Sequence, residues 1–180
     1  MHLPPPGLDV ILTGKMGDEV EEAMRDARVI ASWALALFLA AMLLWIADQT
    51  LFPNEGRNVV FPMLAERSGY YLFEPTGRYV VSLLEVIAAI LLILPWTRRI
   101  GAGLAILVAA GAVGAHLTPW LGIQIPTSMT PGADGAAPPT DGGQLFYLSI
   151  GLLVASLVVF FVHPGSSGGA KTAGYGYYGR

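Results

Sequence analysis

The sequence contains no cysteine. That excludes a disulfide framework, thiolate metal sites and thiol–disulfide chemistry by this chain alone. Charge is also scarce. Asp, Glu, Lys and Arg make up 13% of the 180 residues, about half the share usual in soluble globular domains. The net charge of −3 is too small to imply a strongly charged partner, and no basic stretch resembles a nucleic-acid-binding arm. One histidine near carboxylates on separate segments falls short of a metal-ligand set. The sequence has no phosphate-binding glycine loop, nucleophile elbow or paired-histidine signature. Gly101-x-Gly103 lies inside an apolar run, which rules it out as a nucleotide fingerprint. The chain is not expected to be an enzyme on its own.

Apolar residues are abundant, at 54% of the chain with mean hydropathy +0.58, and they come in blocks. Val29–Ala47 carries no charge, Tyr79–Trp96 is broken only by Glu85, Ile100–Leu117 is uncharged until His116, and Leu145–Val162 is uncharged. Blocks of roughly 18–20 residues match a hydrocarbon core of about 30 Å. Only helices or closed barrels satisfy the backbone there, and unbroken apolar runs mean helices. The expected fold is therefore all-α, an integral membrane four-helix bundle with spans at about 29–50, 78–96, 100–118 and 145–163. The first span reads as a retained signal anchor, because its apolar run exceeds an h-region and lacks a small-x-small cleavage site.

The domain organisation follows from these blocks. Residues 1–28 form a cytoplasmic N-terminal segment, 29–163 the membrane domain and 164–180 a flexible Gly/Tyr-rich tail. Within the first segment, residues 1–17 read as irregular. A short amphipathic helix is expected over 18–28, opened by Asp18 and Glu21 at capping-box spacing. Val20, Ala23, Met24 and Ala27 share one of its faces.

Lys and Arg set the orientation. Lys15, Arg25, Arg28, Arg98, Arg99, Lys171 and Arg180 lie on the side of the termini, and Arg57, Arg67 and Arg78 on the other. The positive-inside rule then places both termini in the cytoplasm of a bacterial inner membrane protein. Residues 48–78 are aromatic-rich and are expected to pack on the outer membrane surface with a short helix. Thr130–Gly143 reads as flexible. Span three is rich in small residues. Gly103, Ala110, Gly111 and Gly114 are its expected packing positions and make it the expected most buried helix.

Glu85 is the most informative residue. An ionisable group about 10 Å inside a span is expensive and a functional candidate by default. His116 ends the antiparallel span three at similar depth, Asp48 ends span one and Arg78 starts span two on that side. Asp48, Arg78, Glu85 and His116 are therefore expected to converge, with Gln49, Tyr79 and Ser82 nearby. Two readings stay open: a structural polar cluster that fixes helix register, or a quinone headgroup pocket using Glu85 and His116 in proton transfer.

The segment Gly77–Leu117, GRYVVSLLEVIAAILLILPWTRRIGAGLAILVAAGAVGAHL, resembles the DoxX-like family of four-helix bacterial membrane proteins. The matching features are an intramembrane Glu, a leucine run ending at Pro95, a basic turn, and a small-residue helix ending in His116. The resemblance implies four helices and a redox neighbourhood, since the family takes its name from a subunit of a thiosulfate:quinone oxidoreductase. The expected function is a non-catalytic accessory subunit of a larger membrane complex, related to electron transfer. The alternatives are a quinone-interacting subunit with Glu85 and His116 at its site, and a small transporter. Expected partners are the lipid bilayer and other membrane subunits. The expected ligands are a quinone or a lipid, neither covalently bound.

Overall fold

A computed structural model describes residues 8–52, 59–131 and 135–162, with side chains from residue 15 onward. The Pro4–Gly7 stretch, Arg57 and the tail 164–180 lie outside the described residues. Among the described residues five α-helices follow in order: α1 (Leu8–Leu51), α2 (Val60–Ser68), α3 (Arg78–Ile93), α4 (Arg98–His116) and α5 (Gln144–Val162). Among the described residues the only β pairing is an isolated bridge between Pro126 and Thr140. Four of the helices are long and apolar enough to cross a membrane, so the chain is a multi-pass membrane protein whose apolar helices suit lipid contact.

The four long helices form a bundle in which α1 packs on α3, α3 on α4 and α4 on α5, and α1 closes onto α5 more lightly. The start of α1, the α3–α4 turn and the end of α5 share one end of the bundle, called here the terminal side. The other end, the loop side, carries α2 and the 117–143 connection. The terminal half of the core is closed by small and large side chains in alternation, including Ala36, Leu39, Ala40, Ala88, Leu92 and Ala105. Lipid supplies no hydrophobic drive between helices, so close backbone approach at such alanines provides the packing.

The first helix differs from expectation. It starts at Leu8 and runs unbroken for 44 residues, about 66 Å at 1.5 Å per residue. Residues 8–17 are helical, and Asp18 sits inside the helix instead of capping it. Gly14 and Gly17 each cost about 1 kcal/mol of helix propensity relative to alanine. Propagation from the long apolar segment adds one hydrogen bond per residue and carries the helix through them.

The small residues of α4 also fall differently. Its buried face is Gly101, Ala102, Ala105 and Ala109. A Cβ at Gly101 would lie 2.7 Å from the Leu92 nitrogen, so the α3–α4 turn needs glycine there. Ala110, Gly111 and Gly114 are exposed, and Gly103 is half-buried with only Phe160 near. Small-xxx-small spacing occurs on two faces of this helix, and the turn geometry selects the one through Gly101. The helix that buries the larger share of its span is α3 rather than α4.

Arg98, from the basic turn, is 2% exposed. Its guanidinium stacks 3.8 Å over the Trp33 ring, Nε donates to the Leu92 carbonyl at 3.2 Å, and Nη1 donates to Ser32 Oγ at 3.4 Å. The residue therefore pins the α3–α4 turn against α1. Arg99 lies 5.4 Å from the Phe160 ring on α5.

On the loop side, the expected short helix is α2. Pro62 occupies its first turn, where a missing N–H removes no intrahelical bond. The helix ends on Gly69, whose φ of 76° and N–H bond to the Ala65 carbonyl form a left-handed cap. Met63 and Leu64 pack with Leu121 and Ile125 from the second connection in a separate apolar cluster. The two connections therefore cover the bundle together.

Candidate functional site

Beneath that cover lies a cavity of about 550 Å³ lined by all four long helices and by α2. Its walls are largely aliphatic, with Leu43, Leu84, Val108, Ala112, Leu148 and Leu152 among them. The polar side chains that reach it are Gln49, Thr50, Glu85, His116 and Ser149. Trp45, Val80, Leu107 and Gly111 also line it and are exposed at the surface of the helices, Leu107 by 64%. Part of the cavity wall is thus formed by side chains that also lie on the apolar surface of the bundle.

The structure brings Glu85 and His116 to this one cavity, each 4% exposed. Glu85 faces inward from α3 because it shares the stripe of Ser82, Ala88, Ala89 and Leu92 that packs against the neighbouring helices. Its Oε2 is buried without a hydrogen-bond partner, as is the Ser82 hydroxyl one turn away. Among the described residues Glu85 makes no ion pair. A buried carboxyl oxygen left unpartnered costs roughly 1–3 kcal/mol, so the site gains from any ligand that bonds to it.

His116 is held from the other side. Its Nδ1 donates to the Gly122 carbonyl at 2.7 Å, and Phe146 meets the ring edge-on with centroids 5.7 Å apart. Donation from Nδ1 leaves the neutral ring with its lone pair on Nε2. The site therefore combines an acceptor imidazole with a carboxyl group inside an apolar chamber.

Arg78 and Asp48 belong elsewhere. Arg78 is buried at the start of α3, where Nη2 pairs with Glu74 at 3.0 Å and Nη1 donates to the Thr50 carbonyl at 3.3 Å. Its guanidinium lies 4.8 Å from the half-exposed Tyr79 ring. Asp48 is exposed, accepts a 3.3 Å bond from Gln49, and does not line the cavity. Depth fixes height in the bundle, while the rotation of each helix decides which side chains meet. Among the described residues, no three His, Asp or Glu side chains converge as a metal site.

Sequence reasoning missed Asp141. Its Oδ1 accepts from the backbone N–H of Ile125 at 2.9 Å and of Gly143 at 3.0 Å, and its Oδ2 from Leu145 at 3.1 Å. The carboxylate thereby caps α5 and ties it to the loop after α4. Backbone bonds between Asp141 and Ile125 and between Thr127 and Pro139, both 2.8 Å, extend the tie. The C-terminal end of the stretch read as flexible is therefore anchored. The available signal was Asp141-Gly142-Gly143 just before an apolar run, a helix-start pattern.

Comparison with protein-family models, with curated proteins and with solved structures found no match.

Proposed function

We propose that this protein binds a small lipid-soluble molecule with a polar head, of the quinone class, in the loop-side cavity. The observation that carries the reading is an apolar chamber containing Glu85 and His116, part of whose wall is exposed on the apolar helix surface. A quinone ring fits such walls, its carbonyl can accept from a protonated Glu85, and the hydroxyl of its reduced form can donate to His116 Nε2. Cavities of about 300–1,000 Å³ with a few placed polar groups are typical of small-molecule sites. In this reading the chain sits in a bacterial inner membrane with both termini cytoplasmic and serves an electron-transfer assembly. The DoxX-like resemblance of Gly77–Leu117 points the same way.

A second reading, a non-catalytic accessory subunit without a ligand of its own, is favoured by the exposed small-residue surface of α4 at Ala110 and Gly114. Such a surface suits close approach by another membrane helix. A transporter is less well supported, because the closed terminal half of the core offers no path beyond the cavity.

The test is a titration of the full chain in lipid nanodiscs with a short-chain ubiquinone, read by tryptophan fluorescence, since Trp45 lines the cavity. Glu85→Gln and His116→Leu should each weaken binding by about ten-fold, the value of one good hydrogen bond. A saturable response that both substitutions leave unchanged, or none at all in the intact chain, would turn the assignment toward the accessory reading.

A further inference from the structure

Beyond the cavity, the outward face of α1 has a pattern that the bundle does not explain. From residue 15 to residue 31 every position of the helix is exposed. Within that free stretch Met16, Val20, Ala23, Ala27 and Ile30 recur at alternating intervals of four and three. The same register continues through the apolar part as Ala34, Leu37, Ala41 and Leu44, all exposed. In heptad notation the a positions are Val20, Ala27, Ala34 and Ala41, and the d positions are Met16, Ala23, Ile30, Leu37 and Leu44. Small a layers therefore alternate with mainly large d layers, and Met24, Ala31, Phe38 and Trp45 widen the seam at e.

The opposite face changes character where the helix leaves the bundle. Inside the apolar part, positions c, f and g hold Ser32, Ala36, Leu39, Ala40, Leu43 and Ala47, which bury against the other helices. Outside, the same positions hold Lys15, Asp18, Glu19, Glu22, Arg25 and Asp26. Position a, d and e residues make no such change and stay apolar on both sides of Arg28. Lipid contact accounts for apolar residues inside the membrane only. An apolar stripe that continues for three turns into water, in unbroken register, needs a protein partner along its whole length.

We propose that α1 is the interface of a parallel homodimer, joined along this seam from Met16 to Leu44. The occupant must be a helix that is amphipathic in water and apolar in the membrane, with the change at the same height. A second copy of α1 meets that requirement by symmetry, because two copies inserted with the same topology lie parallel about a two-fold axis along the membrane normal. Spacing of 3.5 residues gives the left-handed crossing common to coiled coils and membrane bundles, and alanine at successive a layers permits close approach. Charge raises no objection. In a parallel pair each g position faces the partner's next e position, so Glu19 meets Met24 and Asp26 meets Ala31, with no like charges opposed.

The absence of native cysteine allows a direct test on the full chain in its membrane. Ala27→Cys places a lone thiol in the seam, and Arg25→Cys places one on the opposite face. On mild oxidation the first should form disulfide-linked dimer about ten-fold faster than the second, since only seam positions approach across a coiled coil. Fluorophore-labelled protein diluted into vesicles should bleach in two steps, and Val20→Glu with Ala27→Glu should reduce this to one while helical circular dichroism is retained. Equal cross-linking at the two positions, single-step bleaching of the unsubstituted chain, or a disulfide from Ala27→Cys to a different protein would overturn the proposal. If the double glutamate variant fails to insert, the two cysteine variants still decide it.

Discussion

Gly101 and Gly111 belong to one helix and meet opposite surroundings. A methyl group at Gly101 would press on the Leu92 nitrogen at 2.7 Å and the Leu91 carbonyl carbon at 2.8 Å. Both are backbone atoms of the preceding turn and cannot swing aside. Gly101→Ala should therefore destabilise the bundle by about 1–3 kcal/mol, the range for overpacking in a closed core. At Gly111 nothing lies within 4 Å of a built Cβ. Gly111→Ala should be neutral or stabilising by up to about 1 kcal/mol through helix propensity. Reversible unfolding of both variants in mixed micelles checks the contrast, and equal effects would mean that α4 is rotated from the orientation described. The sequence displays both glycines in similar small-residue spacing. Which one is packed depends on the turn at Pro95–Thr97, whose geometry no spacing rule contains. The same limit applies to the polar residues. Depth in the spans puts Glu85 and His116 at one height, and both line the cavity, whereas Arg78 has its neighbour Glu74 four residues earlier, a pair that depth does not consider.

At the scale of the element, the start of α5 depends on Asp141. Burial opposes ionisation of this carboxyl, but bonds from the Gly143, Ile125 and Leu145 N–H groups outweigh it, so its pKa lies below the ordinary 3.8. The sign of the linkage follows. A carboxyl whose folded pKa is depressed contributes stability that is fully present above the unfolded value and is lost as pH falls through the folded one. The tie between α5 and the Ile125 loop should hold unchanged above about pH 4 and loosen only below it. Asp141→Ala should cost about 1 kcal/mol at neutral pH, as for other lost caps. Asp141→Asn keeps one acceptor oxygen and removes the titration. Amide exchange at Ile125 and Leu145 reports the tie. Faster exchange in the alanine variant at neutral pH is expected, and protection independent of the side chain would show that the backbone bridge alone holds the loop. Long helices announce themselves by apolar runs, so four of the five elements were readable from the sequence. The fifth, α2, was readable as an aromatic-rich stretch too apolar to float, because its buried residues Met63 and Leu64 need a surface to cover. The continuity of α1 was harder to read, since two glycines and an apparent capping box suggest a break that helix propagation overrides.

For the molecule as a whole, the asymmetry of the core sets how anything can enter. Its terminal half is filled by alanine and leucine, and its loop half holds the cavity under α2. From the loop side, water meets the buried cluster of Met63, Leu64, Leu121 and Ile125, whereas Val80, Leu107 and Gly111 of the cavity wall are exposed on the helix surface. Access should therefore come from the acyl chains. An apolar carbodiimide, which partitions into the bilayer, should modify Glu85 in intact membranes, and a water-soluble carbodiimide should leave it largely unmodified. Peptide mapping by mass spectrometry locates the adduct, and Glu85→Gln supplies the control that removes it. A short-chain ubiquinone added first should protect the residue if it occupies the cavity beside His116. Labelling by the water-soluble reagent at an equal rate would instead mean that the α2 cover opens readily. The cavity would then face the aqueous phase, and a polar solute would be a better candidate for it than a lipid-soluble one.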